Sequence, residues 1–125
     1  MELLFGTQLG GGTDINKAVA YAENLIQNPT DTILFLISDL FEGGNERDLV
    51  KRATAIRRGG SQFITLLALT DEGQPIFDKE LAAKLASVDI PSFACTPDLF
   101  PALMAAAIKK EDMQNWASRM NIVSN

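Results

Sequence analysis

Two nearly unbroken apolar runs, residues 32–38 (TILFLIS) and 63–69 (FITLLAL), alternate with segments in which apolar residues recur every three or four positions. Runs of that length without polar alternation are the pattern of strands buried on both faces of a parallel sheet. A shorter run at 92–95 (SFAC) follows Pro91 and predicts an edge strand, since a proline at a strand start removes only one ladder donor. The opening residues 3–5 (LLF) predict a short strand or the remnant of one.

Between these runs the period changes to that of helices. Ile15, Val19, Ala22 and Ile26 follow one another at spacings of four, three and four, which places them on one helical face, and Asn28 and Pro29 end that helix. Residues 46–58 put Leu49, Val50, Ala53 and Ile56 on one stripe. Basic residues fill the last turn, where they suit the helix dipole, before Gly59 and Gly60 stop the helix. A shorter helix over 79–86 presents Leu81 and Leu85. Thr96, Pro97 and Asp98 read as the cap, first position and favoured anion of a further helix carrying Leu99, Leu103 and Ala107. Met113, Trp116 and Met120, spaced by three and four, mark the tail as a last helical turn or a docking segment. Strand and helix signals alternating in this way define an α/β fold, a doubly wound, Rossmann-like and mostly parallel sheet with helices on both faces.

Composition narrows the chemistry. The 125 residues are 46% hydrophobic, enough for one domain with its own core. A net charge of −5 and the absence of any block of Lys or Arg argue against nucleic acid or anionic lipid as partner, and leave cations and basic protein surfaces. There is no histidine, which removes the commonest general base and transition-metal ligand; any metal would be a hard cation held by oxygen. The single cysteine, Cys95, excludes an internal disulfide and reads as a buried packing residue. With no signal peptide and no apolar run of about 20 residues, the expected location is cytoplasmic and soluble.

In an open parallel sheet, ligands bind outside the carboxyl ends of the strands, and the sequence marks that rim repeatedly. Asp39 follows TILFLIS, Asp71 and Glu72 follow FITLLAL, Thr96 follows SFAC, and Gly10–Gly12 lead into Thr13 and Asp14 at the first helix. A hydroxyl at Thr13 and a carboxylate at Asp39 are the hard-oxygen donors that Mg²⁺ or Mn²⁺ accepts. The same residues also read as a turn with an N-cap and as a strand-end turn aspartate. Nucleotide-binding and dinucleotide-binding glycine loops need GxxxxGK[ST] or GxGxxG, and neither spacing occurs. A receiver-type signalling domain would need an acidic pair and a later lysine in arrangements this sequence lacks. The chemistry therefore points away from an enzyme.

The order GGTDI, amphipathic helix, TILFLISDLFEGG, second helix, apolar strand and a final T-P helix start resembles the C-terminal two-thirds of a von Willebrand factor type A (VWA) domain, particularly the bacterial CoxE-like group, over residues 3–110. The resemblance implies a non-catalytic, protein-binding role through a metal-ion-dependent adhesion site. Thr13 is then the loop threonine and Asp39 the later aspartate, each meeting Mg²⁺ or Mn²⁺ directly or through water. The resemblance also implies work beside a MoxR-type AAA+ ATPase in complex assembly or metal-centre maturation. The family's first metal motif, D-x-S-x-S, does not occur in these residues. The expectation is thus one partial domain: a strand remnant and glycine loop over 1–12, an α/β core over 13–110 and a tail over 111–125. Its metal affinity is expected to be weak or nil, and the strand at 32–38 is expected to be left as an exposed apolar edge, open to a homodimer or a separate N-terminal fragment. A small anion-binding or regulatory module, using the glycine loop and the helix N-terminus, is the alternative.

Overall fold

The computed structural model describes residues 2–8, 15–38, 46–68, 78–110, 112–120 and 123–124. In chain order these form β1 (Glu2–Gln8), α1 (Ile15–Leu25), a 3-10 turn, β2 (Thr32–Ser38), α2 (Glu46–Arg58), β3 (Gln62–Ala68), α3 (Lys79–Ala86), β4 (Ser92–Cys95), a second 3-10 turn (Pro97–Leu99), α4 (Phe100–Ile108), α5 (Met113–Arg119) and β5 (Val123–Ser124). The strands make one sheet in the order β1-β2-β3-β4-β5. The first four run parallel and β5 joins β4 antiparallel.

The two-residue period of a strand sorts the core into two layers. Leu34 and Leu36 of β2, Phe63 and Leu67 of β3 and Ala94 of β4 pack with α1, α2 and α3 on one face. Ile33 and Phe35, Ile64 and Leu66, and Phe93 and Cys95 pack with α4 and α5 on the other. Each new parallel strand is added on the same side of the last, and repeating one crossover hand then keeps α1, α2 and α3 together on one face. The opposite face is closed by α4 and α5, which follow β4. Both faces carry helices, as the unbroken apolar strands predict.

Polar groups inside the sheet are matched. Thr65, fully buried, and Ser92 share a hydroxyl–hydroxyl hydrogen bond across β3 and β4, and the Pro91 carbonyl accepts from both the Thr65 amide at 3.0 Å and the Thr65 hydroxyl at 3.2 Å. Pro91 is therefore used as an acceptor at the point where it cannot donate. At the end of α2, Gly60 adopts φ +108°, and a Cβ there would meet Thr30 Cγ2 at 2.8 Å. Glycine is required at this turn on both counts.

Three expectations are corrected. The strand at 32–38 is not an edge, because β1 pairs with it in parallel over seven positions, from Glu2↔Thr32 to Gln8↔Ser38. The backbone of β1 meets hydrogen-bonding groups of β2, and among the described residues β1 takes the edge position instead. β4 is not an edge either, since β5 lies beside it through Phe93↔Ser124 and Ala94↔Val123. Finally, α4 begins at Phe100 with Leu99 as its cap, rather than at Pro97 with Thr96 as its cap: Pro97–Leu99 form a 3-10 turn, and the Leu99 amide donates to the Thr96 carbonyl at 3.0 Å. Of the two readings of the tail, packing holds: Met113 and Trp116 of α5 are buried on the sheet, while Met120 beyond it is exposed.

Candidate functional site

Each parallel strand leads at its carboxyl end into a loop and then a helix that returns to the opposite edge, so the strand ends and the N-termini of α1, α2 and α3 share one rim. The register fixes which residues meet there: Gln8 lies beside Ser38, and Ala68 beside Cys95. Asp39 is the next residue after Ser38, and Thr13 precedes Ile15, the first residue of α1, by two. Both predicted ligands lie outside the described residues, as do Gly10–Gly12, Asp14, Asp71 and Glu72. Among the described residues no group of three or more Cys, Asp and Glu is arranged to hold a metal ion.

Cys95 ends β4 with 3% of its surface exposed, and burial, followed by the negative charge of Asp98, pushes its thiol up to about 11. Near neutral pH it is a protonated packing group and not a nucleophile. In the unfolded chain the thiol ionises near its ordinary value of 9.0, so between that pH and about 11 the unfolded state binds fewer protons than the native one. The stability that Cys95 contributes is complete below pH 9 and is expected to fall as the pH rises through that window. Alkylation by iodoacetamide at pH 8 is expected to be slow in the native protein and fast in urea. Equal rates in the two states would contradict the burial.

Two cavities among the described residues open at the opposite, amino edge of the sheet. One of about 280 Å³ is lined by Arg57, Gln62, Asp89, Pro91 and the start of α5. A second, of about 240 Å³, lies between Thr30–Ile33, Gly60 and Lys110. The first holds a clamp that sequence reading missed. Asp89 sits at φ +68°, and Arg57 reaches it twice, Nη2 to the Asp89 carboxylate at 2.7 Å and Nε to the Asp89 carbonyl at 3.2 Å. Because the Asp89 side chain is 80% exposed, this pair secures a turn and adds little stability.

Charges on the helices show the same economy. Arg52 of α2 spans to α1, donating to Glu23 at 2.8 Å and to Asn16 at 3.3 Å, and Lys84 of α3 meets Glu46 at the start of α2 at 2.9 Å, a contact that raises the lysine's affinity for its proton. Sequence reading also missed two helix caps, although an aspartate one residue before each helix was the available signal. Asp78 accepts from the Leu81 amide and Asp112 from the Asn115 amide.

Sequence comparison places the chain in a known family. The profile of the family described as "VWA domain containing CoxE-like protein" matches residues 1–104. The chain belongs to this family. It is therefore a VWA-type protein-interaction module built on a Rossmann-like α/β sheet. A relative, "Uncharacterized protein YehP" of Escherichia coli (strain K12), is 36% identical over 97 residues, which cover 78% of this chain and 26% of the relative. The chain thus spans about a quarter of the length of that curated relative. No solved structure matches it. Among the described residues, no helix of this VWA domain is long and apolar enough to cross a membrane.

Proposed function

We propose that the domain is a non-catalytic, cytoplasmic binding module that engages a protein partner at the carboxyl rim of its sheet, through a partial adhesion-type site in which Thr13 and Asp39 face a Mg²⁺ or Mn²⁺ ion. The observation that carries this reading is the parallel register of β1 with β2, which ends at Gln8↔Ser38. The chain leaves β1 toward the Gly10–Gly12 loop and Thr13, and leaves β2 directly into Asp39, from neighbouring points on one rim. A hydroxyl and a carboxylate are a chemically suitable donor pair for a hard divalent cation, with water and a partner's carboxylate as further ligands. Two donors without the D-x-S-x-S set make a weak site. The ion, when bound, supplies a positive point to which an acidic side chain of the partner attaches.

The proposed partner is a MoxR-type AAA+ ATPase, acting in complex assembly or metal-centre maturation. This assignment rests on family analogy. Pairing of two copies along β1, the edge strand among the described residues, is the proposed route to a homodimer, since an edge presents unpaired amides and carbonyls.

Titration of Mg²⁺ and then Mn²⁺ into metal-free protein by calorimetry tests the metal reading. Saturable, weak binding that Asp39→Ala abolishes and Thr13→Ala reduces is expected. Absence of saturable binding, or binding unchanged in both variants, would overturn it. Inorganic phosphate titrated in parallel addresses the anion-binding alternative, which uses backbone amides and would survive Thr13→Ala.

A further inference from the structure

The outer face of α2 carries three cations that the fold does not use. At about 100° per residue, Arg47, Lys51 and Arg58 fall within roughly 40° of one another around the helix axis and span about 16 Å along it. All three are exposed, and none has an ion-pair or hydrogen-bond partner among the described residues. The remaining cations of the same helix are committed, Arg52 to Glu23 of α1 and Arg57 to Asp89. The helix thus divides its basic residues into a set that holds neighbouring elements and a set aligned toward solvent. The exposed Asp48 lies about 60° around the helix from Lys51, beside the stripe rather than within it.

This arrangement is not what helix stability alone would favour. Arg47 stands in the first turn, where the macrodipole disfavours a cation, and it is four residues from Lys51, the spacing at which like charges repel. Only Arg58, in the last turn, is placed where the dipole favours it. The stripe is also opposite in sign to the chain as a whole, whose net charge is −5.

We propose that the Arg47–Lys51–Arg58 stripe of α2 is a docking surface for an acidic protein segment, a helix or extended peptide carrying Asp or Glu at matching intervals. The inference deepens the protein-binding reading above and rests on it, but uses a surface and chemistry separate from Thr13 and Asp39. Charge complementarity selects the occupant. Three cations on one convex helix cover too few phosphates for a nucleic-acid site, and the surrounding acidity of the domain opposes approach to a polyanionic duplex or membrane. A short acidic segment meets the stripe without bringing its bulk against that field.

The test uses the full chain and a synthetic, fluorescein-labelled helical peptide with Glu at i, i+4, i+7 and i+11. Fluorescence anisotropy at low salt is expected to show saturable binding. It should weaken about tenfold in R47Q/K51Q/R58Q and at least as much in R47E/K51E/R58E, and should fall as salt rises. R47E places an anion where the helix dipole favours one, so loss of binding in R47E alone, with an unchanged thermal midpoint, separates charge from misfolding. Binding that is absent, or equal in wild type and both triple variants, would overturn the proposal, whatever the metal titration gives. A DNA duplex or phosphatidylserine vesicles binding the stripe more tightly than the peptide would overturn it in favour of that other partner class.

Discussion

Phe35→Ala is expected to lower the free energy of unfolding by about 3–5 kcal/mol. Phe35 stands in the middle of β2 with none of its surface exposed, paired through the backbone to Phe5 on one side and Ile64 on the other. Its ring belongs to the layer formed with α4 and α5, so truncation removes a large transfer contribution and leaves a cavity that the paired strands cannot close. A chain of 125 residues has a total stability of roughly 6–19 kcal/mol, so this single change removes a substantial part of it. Urea titration followed by circular dichroism and by the fluorescence of the one tryptophan, Trp116, measures the effect at both the sheet and α5. Coincident midpoints shifted to lower urea at unchanged slope are expected. A loss below about 1 kcal/mol would show that β2 is not the enclosed strand described above.

Trp116→Ala is expected to cost about 3 kcal/mol and to act on one layer. With seven residues, α5 is too short to hold itself in water and persists because Met113, Trp116 and Ala117 pack on the sheet beside Phe93, Leu103 and Ala107. Trp116 retains 9% exposure, so its cavity is partly open to solvent and the cost falls at the low end for an aromatic truncation. Native-state hydrogen exchange is the decisive readout. Amides of α4 and α5 are expected to lose protection before those of α1 and α2, which are packed on the opposite face. Uniform loss of protection across both layers would mean that the two faces unfold as one unit and that α5 is not a separable cover.

For the candidate site, the sequence carried more than the described geometry does. Motif order and residue types suited to a hard cation lead to the expectation of Thr13 and Asp39 as ligands, and both lie outside the described residues. The described residues add only the register that brings Gln8 beside Ser38, from which the chain enters the two predicted loops. The α2 stripe was legible as charge in the sequence but not as a free surface. Whether an arginine on a helix is aligned outward or spent on a neighbour, as Arg52 is on Glu23, depends on what lies across from it.

Local chemistry was enough wherever an element is specified by its own residues. The bounds of β2 and α2 follow from TILFLIS and from a stripe closed by two glycines, and α3 and β4 likewise fall at 79–86 and 92–95. The common reason is that hydrophobic period, caps and breakers act within a few residues of one another. Tertiary structure decided the elements whose identity depends on a partner. β1 extends to Glu2–Gln8 because β2 offers it seven paired positions, and the two-residue β5 exists as a strand only because β4 lies beside it. The same holds for which strands are edges. An edge is a relation between chain segments, and backbone amides and carbonyls, alike at almost every residue, leave no mark in the sequence of the neighbour they will choose.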